Sequence, residues 1–205
     1  MKLRQMKTRP LMVATLMIAT TLLATPSGAS DGETAYATLA AGCFWCIEAD
    51  LEKVEGVLSV TSGYTGGTVA DPSYKQVSKG NTGHTEAVRV VFDPRVISYE
   101  DLLAIFWRNH DPTVADRQFC DIGEQYRAGI FYHDEGQREA AEKSRAMLEQ
   151  TKPFTNPIVT EITAATAFYP AEAYHQDYSK KNPIRYSYYR KNCGRDRRLK
   201  ELWGE

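Results

Sequence analysis

Five consecutive residues, Gly42-Cys43-Phe44-Trp45-Cys46, set two thiols three positions apart directly after a glycine. A cysteine at the first turn of a helix faces unpaired backbone amides and the positive end of the helix dipole, and both favour thiolate over thiol. Thiolate is the nucleophilic form, so Cys43 is the expected nucleophile. Cys46, one helical turn on, can close a disulfide with it. A Cys-x-x-Cys pair also suits zinc, but zinc needs two further ligands. Four cysteines and four histidines supply neither a second Cys-x-x-Cys nor a His-x-x-x-His pair, so no metal is expected.

Trp45 sits between the two thiols. The apolar stripe of this helix passes through Phe44, Ile47 and Leu51, and Trp45 lies about 100° round from Phe44. An indole beside a reactive thiol and off the core stripe suits an apolar wall for a methyl-bearing substrate; packing under the glycine-rich loop further on is the alternative.

The elements around this motif follow from pattern. Residues 36–41 read as a short strand that Gly42 turns into the Cys43 helix. Residues 57–61 read as a strand and 62–73 as a Gly-, Thr- and Pro-rich loop long enough to carry function. A β-branched run at 84–92 ends at Asp93-Pro94, and Ser98 with Asp101 opens a helix over 99–109 in capping-box fashion. A strand at 126–132, a charged helix at 134–150 and a strand at 158–167 follow. The Tyr-rich, basic remainder reads as mixed helix and loop.

The first six elements run strand, helix, strand, strand, helix, strand, the order of an antiparallel sheet with helices on one face. The expected fold class is therefore α+β, with a ferredoxin-like core and a C-terminal helix/loop extension. The 205 residues are 42% hydrophobic and 25% charged, a globular composition, and a net charge of −1 gives no basic field for nucleic acid. The beginning departs from that average. Lys2, Arg4, Lys7 and Arg9 precede an uncharged apolar run from Leu11 to Ala24 and the small residues Ser27-Gly28-Ala29, the three regions of a secretory signal peptide. Residues 1–29 are read as that leader, and 30–205 as one domain. The run falls short of the ~20 residues that cross a bilayer, so no stable membrane insertion is expected after cleavage.

Gly42-Cys43-Phe44-Trp45-Cys46, Gly63-Tyr64-Thr65-Gly66-Gly67, Gly83-His84-Thr85-Glu86-Ala87-Val88, Asp121 with Gln125-Tyr126-Arg127, and Tyr174-His175-Gln176-Asp177-Tyr178 together resemble the peptide methionine sulfoxide reductase A family. The resemblance spans nearly all of the chain beyond the leader. It implies that the Cys43 thiolate attacks the sulfoxide sulfur and that the oxygen leaves protonated, which requires a general acid. By family position that acid is Glu86, whose carboxyl would hold a proton near neutral pH if buried. Without the resemblance, Glu86 would read as a solvent-facing strand residue. Tyr74 and Tyr126 match tyrosines that hydrogen-bond the sulfoxide oxygen, Asp121 a carboxylate of the same pocket, and Phe44 and Trp45 the wall that holds the substrate methyl. His84 and His175 are read as structural hydrogen-bonding residues.

Attack leaves Cys43 as a sulfenic acid that a second thiol must condense with before an external donor resets the enzyme. Cys46 is favoured as that resolving thiol for its spacing, with Cys193 second. The expected activity is reduction of methionine S-sulfoxide, free or in oxidised proteins, by a monomer with no bound cofactor and a thioredoxin-type reductant. The leader points to a periplasmic or secreted location. Two other functions share the motif: a thioredoxin-like thiol-disulfide oxidoreductase, which would need neither Trp45 nor Glu86, and a secreted binding module with a structural Cys43–Cys46 bond.

Overall fold

The computed structural model describes residues 34–204, and the leader read at 1–29 lies outside them. The elements in chain order are β1 (Ala35–Ala41), α1 (Phe44–Leu51), β2 (Val57–Thr65), α2 (Tyr74–Val77), β3 (Thr85–Phe92), α3 (Tyr99–Arg108), β4 (Arg117–Gln118), β5 (Asp121–Ile122), a 3-10 turn (Glu124–Tyr126), β6 (Ala128–Tyr132), α4 (Glu135–Thr151), β7 (Glu161–Ala164), β8 (Tyr169–Pro170), α5 (Tyr178–Lys181), α6 (Pro183–Cys193) and α7 (Arg195–Trp203). The architecture is α+β.

Six strands form one sheet in the order β7-β6-β1-β3-β2-β8, and β4 and β5 form a separate hairpin. The four inner strands pair antiparallel, as expected. The sheet as a whole is mixed, however, because β7 runs parallel to β6. A parallel neighbour needs a crossover connection, and α4 supplies it.

Alternation puts Ala37, Leu39 and Ala41 of β1 in one buried cluster with Val88, Val90 and Phe92 of β3. Phe44, Ile47 and Leu51 of α1 and Leu102, Leu103 and Phe106 of α3 join that cluster, so these helices cover the same face. Each such Leu, Ile or Phe contributes roughly 1.5–3 kcal/mol relative to exposure. Ala40, Ala87 and Phe131 form a smaller cluster on the other face. The start of α3 is fixed by Ser98, whose hydroxyl accepts the Asp101 amide at 3.1 Å and donates to its carboxylate at 2.6 Å.

Boundaries differ from expectation at three strands; the one expected at 126–132 begins at Ala128, which leaves Tyr126 in the 3-10 turn. β2 continues through Thr65, so Gly63, Tyr64 and Thr65 pair with β3 instead of opening the loop. Propensity at Gly63 argued for a turn, but pairing on both sides, to β3 and to β8, overrides it. The strand expected at 158–167 contracts to Glu161–Ala164.

Candidate active site

The site begins at Gly42. Its φ of +78° turns the end of β1 into α1, and a Cβ there would lie 2.4 Å from Cβ of the fully buried Gln118. Only glycine fits both demands. The turn delivers Cys43 as the N-cap residue of α1.

Glu86 is buried on β3, directly across from Tyr64 of β2. The solvent-facing reading of this residue is therefore wrong: the sheet is covered on both faces here, with Thr85, Glu86, Ala87 and Val88 all at most 2% exposed. The Glu86 carboxyl accepts the Phe44 amide at 3.0 Å. Burial pushes Glu86 up to about 8, against the pull of that amide, and the neighbouring charges of Asp121 and Cys46 add to the rise. At neutral pH Glu86 carries a proton.

Two tyrosines are held by their backbones. The Tyr74 amide donates at 2.8 Å to one oxygen of Glu172, whose other oxygen accepts the Tyr64 hydroxyl at 2.8 Å. Tyr126 ends the 3-10 turn, and the Thr85 hydroxyl reaches the carbonyls on either side of it, Gln125 at 3.1 Å and Arg127 at 3.0 Å. Glu86 and Tyr126 are thus referred to the same strand. Burial first, then the Glu86 charge, raises both phenols, Tyr74 to about 12. Each stays a neutral donor.

Cys43, Phe44, Trp45, Tyr74, Glu86, Asp121 and Tyr126 all line one cavity of about 90 Å³. Of the residues singled out from sequence, Cys46 is not among those lining this cavity; it is buried and unbonded like Cys43. Cys193 is bonded to Cys120. Tyr189 completes the cavity lining and was not anticipated. It lies on α6 and donates to Asp121 at 2.5 Å. The available signal was the spacing of Tyr186 and Tyr189, three apart on one helix face, in a stretch where several tyrosines obscured it. Glu172 and Thr85 were missed for a different reason: each acts on another residue's backbone.

The Trp45 indole donates to His175 Nδ1 at 3.0 Å and stacks on Tyr178 at 3.7 Å, with ring planes 5° apart. This grip, and not the glycine-rich loop, sets its orientation. His84 has the structural role expected: it accepts the Gly67 amide at 3.2 Å and its other nitrogen meets the Val69 carbonyl at 2.7 Å.

The thiol pair departs from the expectation at the helix start. Burial pushes Cys43 well above its usual range, and the adjacent Cys46 and Glu86 add to it, while the neighbouring Tyr189 hydroxyl pulls the other way. The first helical amide, counted on to stabilise a thiolate, is engaged by Glu86. Cys46 is drawn down to about 7 by the hydrogen bond from Cys43 and, against burial, by Arg195 and Arg190.

The cavity therefore offers a sulfur nucleophile and a proton held beside it, the combination required to take oxygen from a sulfoxide. That chemistry is the work of a thiol-dependent oxidoreductase. The family model for peptide methionine sulfoxide reductase matches residues 35–205. The MsrA/MsrB protein of Vibrio cholerae is 52% identical over 168 residues, covering 82% of this chain and 44% of that protein; the chain spans less than half of this relative. MsrA of Bacillus licheniformis is 49% identical over 168 residues, covering 82% of this chain and 93% of that protein. Among solved structures, Mxr1 from Saccharomyces cerevisiae in reduced form matches with a TM-score of 0.70 and 34% identity over 74% of this chain and 87% of that one. The complex of Mxr1 with Trx2 matches with a TM-score of 0.51 and 25% identity over 71% and 85%. The chain belongs to the peptide methionine sulfoxide reductase family.

Proposed function

We propose that this chain reduces the S epimer of methionine sulfoxide, free or in oxidised proteins, to methionine, and that Glu86 and Cys43 carry the oxygen transfer. The observation that supports it best is a buried carboxyl, held protonated at neutral pH, sharing a cavity of about 90 Å³ with a buried thiol. Thiol-disulfide exchange expels a thiolate and, unlike sulfoxide reduction, has no oxygen that must leave protonated.

In this reading Tyr74 and Tyr126 hydrogen-bond the sulfoxide oxygen, and Phe44 and Trp45 hold the methyl. Glu86 gives its proton to the oxygen as Cys43 sulfur attacks the substrate sulfur, and the Cys43 thiol proton returns to Glu86. The substrate's sulfur–oxygen bond then breaks as the protonated oxygen passes to Cys43 sulfur, and the Cys43–substrate sulfur bond breaks with its electron pair left on the thioether, so Cys43 ends as a sulfenic acid. Cys46 sulfur then displaces that hydroxyl, which leaves as water with the proton of the Cys46 thiol, giving a Cys43–Cys46 disulfide. A pull toward thiolate at Cys46 suits this second attack. Two electrons from a thioredoxin-type donor restore both thiols, and the Trx2 complex of a relative supports a donor of that class. No prosthetic group enters the cycle.

The inner strand order β6-β1-β3-β2, with helices α1 and α3 between them in sequence, supports a ferredoxin-like description of the core. The charged and apolar pattern of residues 1–29 supports export to the periplasm or exterior. The experiment is an epimer-resolved assay with dithiothreitol: turnover of the S but not the R sulfoxide is expected, since each epimer has its own enzyme. Cys43→Ser should lose activity; equal turnover of both epimers, or activity in that variant, refutes the reading.

A further inference from the structure

Cys120 and Cys193 form a disulfide across 73 residues of sequence, with Cα atoms 4.9 Å apart. Each neighbours a residue of the cavity. Cys120 directly precedes Asp121 at the turn of the β4–β5 hairpin, and Cys193 lies one helical turn beyond Tyr189 on α6. The Tyr189 hydroxyl donates to Asp121 at 2.5 Å, so the same two segments are joined by a hydrogen bond and by a covalent bond. Both sulfurs come within 3.8 Å of a carboxylate oxygen of Asp121.

The two segments are anchored unequally. The hairpin is fixed through Gln118, fully buried and hydrogen-bonded to both backbone groups of Asp111 at 2.9 and 2.8 Å. By contrast α6 contains no buried residue, and its Ile184 and Tyr188 are 87% and 73% exposed. A helix with so little buried apolar area is held by its few specific contacts. For α6 these include Arg190 to Asp50 at 2.8 Å and the edge of Tyr189 against Trp45 at 5.8 Å. The place of Tyr189 beside Cys43 in the cavity lining depends on where that helix sits.

We infer that the Cys120–Cys193 disulfide is a positioning clasp, separate from the disulfide formed in turnover. It ties α6 to the anchored hairpin and so holds Tyr189 and Asp121 as one wall of the substrate cavity. A cross-link between distant segments removes conformational freedom, and a wall already ordered costs less to order when substrate binds. Arg195, two residues beyond Cys193, is itself buried, so loss of the clasp loosens the wall without releasing the C-terminal segment. The inference rests on Cys43 as nucleophile and Cys46 as resolving thiol.

The test uses the full chain with Cys43 and Cys46 reduced and Cys120–Cys193 intact. After one turnover on a methionine sulfoxide peptide without added reductant, alkylation and non-reducing peptide mapping should find Cys120 still linked to Cys193 and Cys43 newly linked to Cys46. Any link from Cys120 or Cys193 to Cys43 or Cys46 overturns the clasp. The single-turnover rate is then measured against peptide concentration for Cys120→Ser, Cys193→Ser and the double variant. All three should raise the half-saturating concentration equally, by about three- to tenfold, with a smaller change in the limiting rate. Hydrogen exchange over residues 183–193 should quicken in each. An unchanged half-saturating concentration overturns the positioning role, as does an effect confined to Cys193→Ser. Failure of the unmodified chain to release methionine would instead refute the reading on which the inference rests.

Discussion

Glu86 and Phe44 are joined across 42 residues by a hydrogen bond in which the buried carboxyl accepts the first amide of α1 at 3.0 Å. The bond fixes the proton donor relative to the helix start that carries Cys43. It also withdraws from Cys43 the amide that would otherwise favour a thiolate. One contact therefore aligns the two reacting groups, while burial, against the pull of that amide on Glu86, keeps both of them protonated.

Glu86→Gln keeps an acceptor for the Phe44 amide but has no proton to give. Sulfoxide reduction should slow by ~10²- to 10⁴-fold, while Cys43 still reacts with an alkylating agent. Steady-state turnover beside iodoacetamide labelling checks both halves. Unchanged turnover at neutral pH would remove Glu86 from the chemistry.

The pH dependence follows from the same group. Its folded value, about 8, lies above the ordinary 4.5, so the fold favours the neutral form. Stability from Glu86 is complete below about 4.5, declines as the unfolded carboxylate ionises, and is gone above about 8. Donation to the sulfoxide is lost over the same upper limit. Thermal melts of the unmodified chain and Glu86→Gln at pH 5, 7 and 9 should therefore show the variant gaining relative stability as pH rises. A constant difference would mean the carboxyl is not held neutral.

Cys46→Ser should still release about one methionine per enzyme without reductant, because the sulfoxide step needs only Cys43, but should fail to turn over with a thioredoxin-type donor. Dithiothreitol should restore turnover by attacking the sulfenic acid directly. Thioredoxin-coupled turnover that survives in this variant and disappears in Cys193→Ser would transfer the resolving role to Cys193.

Gly42→Ala places a Cβ 2.4 Å from Gln118 at a φ of +78°. The strain should cost about 1–3 kcal/mol of stability, read from the urea midpoint, and should lower turnover by shifting Cys43. A variant with unchanged midpoint would show that the turn after β1 can relax.

What could be read along the chain was whatever rests on near neighbours. The spacing of Phe44, Ile47 and Leu51 marks a helix with Cys43 at its start, and the capping pattern of Ser98 and Asp101 marks another. Strand and helix order alone points to an α+β sheet. The ordered motifs carrying Cys43, Glu86, Asp121 and Tyr126, with Tyr74, point to residues that the fold gathers around one cavity.

Burial and long-range pairing were decided by tertiary structure. Glu86 sits in a strand whose pattern suits a solvent-facing carboxylate, and only the covering of both sheet faces makes it a buried acid. A helix start predicts a thiolate at Cys43, yet desolvation, with Cys46 and the Glu86 charge adding to it, keeps the thiol. Tyr189, Glu172 and the Cys120–Cys193 bond join the site across 68 or more residues of sequence, through contacts that leave no local periodicity. A periodic pattern records which face of an element is apolar. The proton affinity of a group and the partner of a thiol depend on what the completed fold places against them.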